Sequence, residues 1–599
     1  MDYQALRSIP ALFFSQAAKL GDQPFLWAKR DGAYRRTTWA ETDAAVRRLS
    51  KGLRELGIEP GDRVALVSEN RPEWMIADLA IMSARAITVP AYTTNTESDH
   101  RHILADSEAK AVIVSGDQLL KQVLPAASKV PTCKIVIAMD EVEIHQVHEV
   151  SFYPWGEVLS RGAALPDDVE ALEAEAKRGD VCCFIYTSGT GGTPKGVMLS
   201  HGNILCNCLG AYDLLKSYGL SHEIFISFLP LSHSYEHTAG EVLPISLGAE
   251  IYFAESVETL LSNLGEVRPT LMTAVPRLYE TMYQRIQRQI SKEKPFRQRL
   301  FALAERLGRK RFLEPGSLTL WERLLDVVCD RLVRTKVRAR FGGRLKAMVS
   351  GGAALNPDIG LFFTALGLRI MQGYGQTEAS PVICANRPQK NKMHTVGPPL
   401  TGVEVRIAED GEILVRGELV MQGYWKQPEA TARAIQDGWL HTGDIGELDE
   451  DGYLTITDRK KDIVVLSGGD NISPARVESF LTLQPEIAQA MVVGDKRPHL
   501  VALLVPDPDW LHEWARGSGK PRDLASLSED EDLRNALSKV VERVNGGLSN
   551  LEKLRRFMIS PERFTVENEM LTPTMKIRRH VIRGSFGEAL DALYGPAKH

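Results

Sequence analysis

The segment at residues 184–196 contains the residue types that would bind a phosphate group. It reads FIYTSGTGGTPKG, so a short apolar run leads into small and hydroxylated residues and one lysine, Lys195. Glycine lets backbone N–H groups approach phosphate oxygens closely, and hydroxyl and ammonium groups add further donors. A Walker A loop is excluded because it requires Gly-Lys-Ser/Thr, whereas here Pro194 precedes the lysine and Gly196 follows it. For this segment alone, a purely structural glycine-rich turn is the alternative.

Two histidines, His233 and His237, are spaced as metal ligands can be. Zinc proteases with two histidines four residues apart carry Glu directly after the first one, and here Ser234 stands in that place. No third ligand follows at a recognisable spacing. We therefore expect no zinc at this pair, and a hydrogen-bonded structural role is one alternative for His233.

The glycine-rich loop and several later segments resemble the adenylate-forming superfamily, which comprises acyl-CoA synthetases, luciferases and the adenylation domains of peptide synthetases. The superfamily loop reads Tyr-Thr-Ser-Gly-Thr-Thr-Gly-x-Pro-Lys-Gly. This chain departs from it once, with Gly191 in place of the second Thr, which removes a hydroxyl and keeps the backbone donors. The other matching segments, in family order, are SGGA (350–353), QGYGQTE (372–378), WLHTGD (439–444), DRKK (458–461), GGD (468–470) and PTMK (573–576).

The resemblance implies a nucleotide site and a role for single residues in it. Tyr374 would stack on adenine, Thr377 would bond the α-phosphate, Asp444 would bond the ribose hydroxyls and Arg459 would meet the nucleotide. The full set that the resemblance implies for ATP or AMP is Thr187, Ser188, Gly189, Thr190, Gly191, Gly192, Thr193, Lys195, Gly352, Gly373, Tyr374, Gly375, Thr377, Asp444 and Arg459.

The resemblance also implies which residues act in catalysis. Lys576 would reach the carboxylate and the α-phosphate, and Thr377 and Glu378 would complete the catalytic set. Glu378 and Thr187 are the implied Mg²⁺ ligands, and a carboxylate is a hard oxygen ligand that suits this ion. His233 falls in the segment that lines the acyl pocket of relatives.

The implied reaction is ATP-dependent activation of an acid in two steps. A carboxylate attacks the α-phosphorus and expels pyrophosphate, and the thiol of coenzyme A then displaces AMP from the acyl adenylate. In relatives the C-terminal unit turns between the steps, so Asp458 and Lys461 mark the hinge, and Gly468 and Gly469 the loop that comes to face coenzyme A. A carrier-protein phosphopantetheine acceptor, a reaction that stops at the acyl adenylate and a nucleotide-binding scaffold without turnover are the alternatives.

Strands alternating with helices position these motifs and predict a mixed α/β fold class. Helices are expected at 39–56, 72–84 and around 530–546, and strands at 64–67, 87–90, 111–115, 490–493 and 500–505. After Val396 the chain is rich in turns and short strands, which suggests a small β-barrel-like subdomain. We expect a large N-terminal domain of layered α/β sheets at 1–457 and a small mobile α/β domain at 458–599, with the hinge at about 458–462.

A basic, helix-forming segment interrupts the large domain at about 280–345. Residues 277–344 contain 18 Lys or Arg against 7 Asp or Glu, a local excess of +11. The segment resembles the longer insertion of long-chain fatty acyl-CoA synthetases, so a long-chain fatty acid is the expected substrate. A solvated basic face and a surface that meets anionic lipid headgroups are both compatible with this composition.

Composition excludes several other classes of protein. Of 599 residues, 44% are apolar and 25% charged, which is typical of globular chains rather than disordered or fibrous ones. A net charge of −5 gives no support to a nucleic-acid partner. The seven cysteines lack paired spacing, and the longest nearly apolar stretch is about ten residues, short of a membrane span. We expect a cytoplasmic protein. Peripheral contact with the inner face of a membrane and a homodimer are left open.

Overall fold

The structure is a computed structural model that describes residues 2–143, 149–187, 193–468, 470–572 and 575–595. Five residues of the glycine-rich loop (188–192), Gly469 and the pair 573–574 lie outside the described residues. No helix within the described ranges is both long and apolar enough to cross a membrane.

The N-terminal part of the chain, up to the glycine-rich loop, alternates helices and strands as expected. Its elements are α1 (Ile9–Leu20), β1 (Pro24–Arg30), β2 (Ala33–Thr38), α2 (Trp39–Glu55), β3 (Arg63–Val67), α3 (Pro72–Ser83), β4 (Ile87–Ala91), α4 (Glu97–Ser107), β5 (Ala111–Val114), α5 (Asp117–Ser128), β6 (Ile135–Ala138), β7 (Ser151–Pro154), α6 (Trp155–Ala163), α7 (Val169–Glu173) and β8 (Val181–Thr187).

The next part contains the basic helical segment. Its elements are β9 (Lys195–Ser200), α8 (His201–Leu215), β10 (Ile224–Ser227), α9 (Ser234–Glu236), α10 (Leu243–Leu247), β11 (Glu250–Phe253), α11 (Leu260–Val267), β12 (Leu271–Ala274), α12 (Pro276–Ser291), α13 (Pro295–Leu313), α14 (Leu320–Cys329), α15 (Thr335–Arg340), β13 (Ala347–Ser350), α16 (Pro357–Ala365), β14 (Ile370–Gly375) and β15 (Val382–Ala385). Short 3₁₀ turns lie at Lys216–Tyr218 and Thr377–Ala379, and π-helical turns at His237–Val242 and Asp330–Arg334.

The last part is rich in strands before the C-terminal unit begins. Its elements are β16 (Glu404–Ile407), β17 (Glu412–Arg416), β18 (Gly423–Tyr424), α17 (Pro428–Ala434), β19 (Ile435–Gln436), β20 (Trp439–Leu448), β21 (Leu454–Arg459), β22 (Val464–Val465), β23 (Asn471–Ile472), α18 (Pro474–Thr482), β24 (Ile487–Val493), β25 (Leu500–Pro506), α19 (Pro508–Ser518), α20 (Leu524–Leu527), α21 (Glu531–Asn545), β26 (Leu554–Ile559) and α22 (Arg579–Ala592).

Two eight-stranded sheets form the centre of the large domain. One has the strand order β18-β9-β8-β4-β3-β5-β6-β7 and the other β15-β14-β13-β12-β10-β11-β1-β2. Central strands such as β3 and β5 are almost entirely buried and apolar, as parallel strands covered on both faces must be. The mixed α/β fold class and the predicted elements are confirmed. The antiparallel pairing of β1 with β2, at the edge of the second sheet, was not anticipated.

The smaller sheets fill the rest of the chain. Residues 404–459 form an antiparallel sheet in the order β16-β17-β20-β19, with β21 paired to β20. Beyond residue 463 lie a two-stranded sheet, β22-β23, and a three-stranded sheet, β24-β25-β26. The buried residues of the two apolar clusters built around this last sheet all come from residues 464–590. These residues therefore have a core of their own, as the sequence predicts for the C-terminal unit.

Candidate active site

A cavity of about 1260 Å³ brings most of the sequence-predicted residues together. Those that line it are Thr187, Lys195, His233, Gly352, Gly373, Tyr374, Gly375, Thr377, Glu378, Arg459, Lys461 and Lys576. They come from both large sheets, from the smaller antiparallel sheet and from the C-terminal unit. Thr193, Asp444, Asp458 and Gly468 are described but do not line the cavity. The positions of Ser188, Gly189, Thr190, Gly191, Gly192 and Gly469 lie outside the described residues.

A β-hairpin holds the two ends of the glycine-rich loop beside the cavity. Strands β8 and β9 pair antiparallel, and Thr187 stands opposite Lys195 in the register. The ammonium of Lys195 lies 4.9 Å from the ring centroid of Tyr424, which orients the lysine by a cation–π contact. Thr187 and Lys195 therefore stay at the cavity wall, one at each end of the loop.

Two glycines are required by the backbone that carries the tyrosine segment. A Cβ on Gly375 would lie 1.8 Å from the carbonyl oxygen of Pro381, where no side chain fits. Gly352 has φ +82°, a left-handed conformation that other residues adopt only with strain. Both positions let main chain, rather than side chains, form the wall of the cavity.

Tyr374, Asp444 and Arg459 form one hydrogen-bonded chain. The Tyr374 hydroxyl donates to Oδ2 of Asp444 at 2.6 Å, and Nε of Arg459 donates to Oδ1 at 3.0 Å. Asp444 itself is buried, so these two donors compensate its loss of water. Burial and the neighbouring carboxylate raise the pKa of Tyr374 well above its ordinary value, which keeps its hydroxyl protonated as the donor. Three residues that the sequence assigned to one nucleotide thus converge from three strands.

Glu378 projects a carboxylate into the cavity beside Thr377. The Tyr424 hydroxyl donates to Oε1 of Glu378 at 2.8 Å, which fixes the carboxylate at the cavity wall. The hydroxyls of Thr377 and Ser234 lie 3.0 Å apart and share a hydrogen bond. A half-buried carboxylate that is held in one orientation is a suitable donor for Mg²⁺, and Thr187 lines the same cavity. The residues therefore fit the expected ion.

Lys576 enters the cavity from the C-terminal unit and faces His233. Burial, and next the charge of Arg459, lower the pKa of Lys576 to about 8, although water still reaches the ammonium inside the cavity. Burial and the charge of Lys576 lower the pKa of His233 to about 3, so the imidazole is neutral at neutral pH. Its Nδ1 accepts from the backbone N–H of Tyr235 at 3.1 Å, which leaves Nε2–H as the donor.

Glu412 is a residue of this site that sequence reasoning missed. It is buried, and it accepts hydrogen bonds from the Gly443 backbone N–H at 2.8 Å and from Lys460 at 3.1 Å. His441 lies 3.2 Å from the same carboxylate. Glu412 thus holds the 441–444 segment of β20 that presents Asp444. Its only signal in the sequence is its place at the start of a short strand after Asp410-Gly411, which is too common to indicate a role.

A separate buried group contains His237, away from the cavity walls. Nε2 of His237 lies 3.1 Å from Asp78 and 3.9 Å from Glu241, and all three side chains are fully buried. These residue types could hold a metal ion. Although burial lowers the pKa of His237, Asp78 raises it further, to about 9, so the imidazole is charged at neutral pH and pairs with Asp78 instead. His233 lines the cavity and His237 does not, so the two histidines have different surroundings.

Sequence comparison places the chain in a family. The sequence profile of AMP-binding enzymes matches residues 13–425, and that of the AMP-binding enzyme C-terminal domain matches residues 461–598. The chain belongs to the AMP-binding enzyme family. The predicted relationship to adenylate-forming enzymes is therefore confirmed.

Curated relatives of this AMP-binding enzyme cover almost its whole length. Long-chain-fatty-acid–CoA ligase FadD15 of Mycobacterium bovis is 36% identical over 569 residues, which are 94% of this chain and 93% of the relative. Peroxisomal long chain acyl-CoA synthetase 6 of Arabidopsis thaliana is 32% identical, over 94% of this chain and 82% of the relative.

A solved structure has the same fold. The adenylation domain of a carboxylate reductase from Mycobacterium chelonae superposes with a TM-score of 0.77 and 22% identity, over 99% of this chain and 92% of that one. The architecture of this AMP-binding enzyme, two large sheets followed by a small C-terminal unit, is therefore an established one.

Proposed function

We propose that this protein is a long-chain fatty acid–CoA ligase, which converts a fatty acid, ATP and coenzyme A to acyl-CoA, AMP and pyrophosphate. The observation that carries the proposal is the entry of Lys576 into a cavity that already holds Glu378 and the ends of the glycine-rich loop. Two relatives that are more than 30% identical and match over nearly the full chain are named for this activity or for long-chain acyl-CoA synthesis.

In the first step the side chains orient substrates and neutralise charge. A carboxylate oxygen of the fatty acid forms a bond to the α-phosphorus, and the bond from that phosphorus to the pyrophosphate oxygen breaks. Lys576 and Lys195 supply positive charge toward the reacting carboxylate and the phosphates, and the hydroxyls of Thr377 and Thr187 supply donors. Tyr374, Asp444 and Arg459 hold the nucleoside. No side chain forms a covalent intermediate.

Mg²⁺ is the proposed cofactor of this step, held by Glu378 with Thr187 as a second donor. When bound, the ion neutralises phosphate charge that would otherwise repel the incoming carboxylate. Tyr424 supports this role because its hydroxyl keeps the Glu378 carboxylate in one orientation.

The second step requires a different arrangement of the C-terminal unit. The coenzyme A thiol attacks the acyl carbonyl, the bond to AMP breaks and the thiol proton is released. We propose that residues 458–599 turn about the Asp458–Lys461 hinge, which withdraws Lys576 and brings the loop at Gly468 and Gly469 toward the cavity. The present position of Gly468, outside the cavity that contains Lys576, supports the assignment of this structure to the first step.

His233 is proposed as the residue at the start of the acyl site. It lines the cavity together with Lys576, whose charge acts on it, and its neutral Nε2–H can donate to the fatty acid carboxylate. A His233→Leu variant would remove this donor without adding charge. A raised KM for the fatty acid with an unchanged KM for ATP would support the assignment, and equal changes in both would contradict it.

The test of the function is product analysis with Mg·ATP and a series of fatty acids, with and without coenzyme A. We expect AMP and a coenzyme-A-dependent thioester, with the highest kcat/KM for long chains. Adenylate without thioester would indicate that the acceptor is a carrier protein or that the reaction ends at the adenylate. The absence of AMP and pyrophosphate with every acid would contradict the proposal and favour a nucleotide-binding scaffold.

A further inference from the structure

Helix α14 has the reverse of the usual polarity of a surface helix. Its acidic side chains face the protein: Asp326 is buried and bonds Arg334 at 2.6 Å, and Glu322 bonds Lys310 at 2.9 Å. Cys329 is buried on the same side. Because ion pairs and a small residue hold α14 to the domain, its apolar residues are not needed for that contact.

The apolar residues of α14 instead face outward. Leu320 is 82% exposed, Trp321 77% and Val327 68%. The other exposed large apolar residues of this stretch are Leu324, Leu325, Val328 and Leu332. A single exposed leucine is ordinary on a protein surface, but a continuous set on one helical face marks a surface that binds something. We call these seven residues the α14 face.

Cationic side chains border the α14 face. Arg323, Arg331 and Lys336 are exposed, and none of them has a carboxylate within 4.0 Å among the described residues. The acidic residues nearest in sequence are already paired, apart from exposed Glu314 in the preceding loop. The whole 277–344 segment carries a charge of +11, in a chain whose net charge is −5. The outward surface is therefore apolar and positively charged at once.

We propose that the α14 face is a docking surface for an anionic lipid membrane. Leucine, valine and tryptophan partition into the boundary between headgroups and acyl chains, and tryptophan is particularly suited to that boundary. Arginine and lysine at the margin of the face attract anionic headgroups. The proposal goes beyond the ligase activity, because it concerns the surface through which the enzyme binds a membrane rather than the reaction that it catalyses.

A second copy of the chain is a less suitable occupant of the same face. In a symmetric dimer the same patch contacts itself. Arg323, Arg331 and Lys336 of two copies would then be gathered around one interface without carboxylates to pair with. An anionic surface satisfies the same charges instead.

The experiment is cosedimentation of the full chain with vesicles, made of phosphatidylcholine alone or mixed with phosphatidylglycerol. Two variants are compared with the wild type: L320S/W321S/L324S, which removes apolar contacts, and R323Q/R331Q/K336Q, which removes charge. Because all six side chains are exposed, both variants should fold, and circular dichroism checks this. R35Q/R36Q is the matched control, since Arg35 and Arg36 are exposed on β2 and do not belong to the α14 face.

We expect the wild type and the control to bind the anionic vesicles, and each α14 variant to bind at least roughly tenfold more weakly. Binding should also weaken as salt is raised. Equal sedimentation of the wild type and both variants would overturn the proposal. So would a concentration-dependent dimer that only the apolar variant abolishes, because it would assign the face to a second copy.

Activity separates this proposal from the proposed function. Adenylation of a short, water-soluble fatty acid without vesicles should be unchanged in both variants, because no α14 residue lines the cavity. Vesicle binding without ligase activity in the wild type would contradict the function and leave the docking surface standing. A large loss of vesicle-free activity in the variants would overturn the docking proposal, since it would assign α14 a role in the fold of the site.

Discussion

Lys576 is the side chain on which the proposed first step depends most. It belongs to the C-terminal unit, whereas most of the cavity lining belongs to the large domain, so the presence of its charge in the cavity depends on this arrangement. Replacing it with alanine should slow adenylate formation by roughly 100-fold or more, because a preorganised charge is lost from the cavity. Thioester formation from added acyl-AMP should be spared, and both half-reactions can be measured separately. Equal loss in both would contradict the assignment.

The pH dependence of the rate of the first step should reflect the titration of Lys576. Its pKa is lowered to about 8, so the cationic form is lost as pH rises through that value, and kcat/KM for ATP should fall on the alkaline side. Lys576→Arg is the matched control, because arginine keeps its charge over this range. We expect a lower rate in this variant but no decline near pH 8. An identical decline in both would assign the titration to another group.

Glu378 can be tested through its affinity for magnesium. Glu378→Gln keeps the side chain's size and can still accept from Tyr424, but it removes the negative charge from the cavity. The Mg²⁺ concentration for half-maximal adenylation should rise by roughly tenfold or more. Tyr424→Phe should give a smaller increase, because the carboxylate remains and only its orientation is freed. An unchanged magnesium titration in Glu378→Gln would remove this residue from the proposed metal site.

Helix α12 is the element that holds the C-terminal unit in its present position. Its Arg288 donates to Asp507 at 2.5 Å and to Asp509 at 2.7 Å, both at the start of α19. The Arg277 guanidinium on the same helix donates to the backbone carbonyl of Ala488 at 3.3 Å. Since these contacts cross from the large domain to the C-terminal unit, they stabilise the arrangement in which Lys576 faces the cavity.

Breaking the α12 contact should therefore affect one half-reaction more than the other. Arg288→Ala should slow adenylation a few-fold, consistent with roughly 0–1 kcal/mol for partly exposed ion pairs, and leave thioester formation from acyl-AMP unchanged or faster. Arg285→Ala is the matched control on the same helix. Equal slowing of both steps by Arg288→Ala would show that this contact does not distinguish the two arrangements.

At the scale of the whole molecule, buried charges connect the layers of the large domain. Asp78 on α3 meets His237 on the π-helical turn in the interior. The unfolded pKa of histidine is near 6.5, and the folded value is raised to about 9. The stabilisation is therefore fully present below pH 6.5 and lost as pH rises through 9. Nearby Glu236, whose pKa is raised by burial to about 7, also makes the folded state less stable as pH rises.

The free energy of unfolding should accordingly fall between pH 6.5 and pH 9. The contribution of His237 is on the order of 3 kcal/mol by linkage, because its pKa differs between the folded and unfolded states by more than two units. The D78N/H237Q variant removes both charges together, so neither is left unpaired in the core. Urea unfolding at pH 6.5 and pH 9 gives the free energy of unfolding at each pH. The difference between the two values should be clearly smaller for this variant than for the wild type. The same difference in both proteins would assign the pH dependence to other groups.

Sequence alone determined the chemistry and the local structure of this protein. The motif segments have fixed spacing and residue types, so they indicate adenylate formation, and apolar periodicity predicts helices and strands because those signals depend on near neighbours. The helices of 280–345 and the strands around residues 490 and 500 are examples. Nine of the fifteen residues that the resemblance assigns to the nucleotide either line one cavity or, in the case of Asp444, bond a residue that lines it.

Only the tertiary structure decided which distant side chains meet. Lys576 lies near His233, Glu412 holds the strand segment before Asp444, and Asp78 pairs with His237, across separations that no local pattern encodes. The outward apolar face of α14 is a further case, because amphipathic spacing shows that a helix has two faces but not which one is buried. Burial depends on which partners the rest of the chain supplies. On α14 the ion pairs of Asp326 and Glu322 turn the polar face inward.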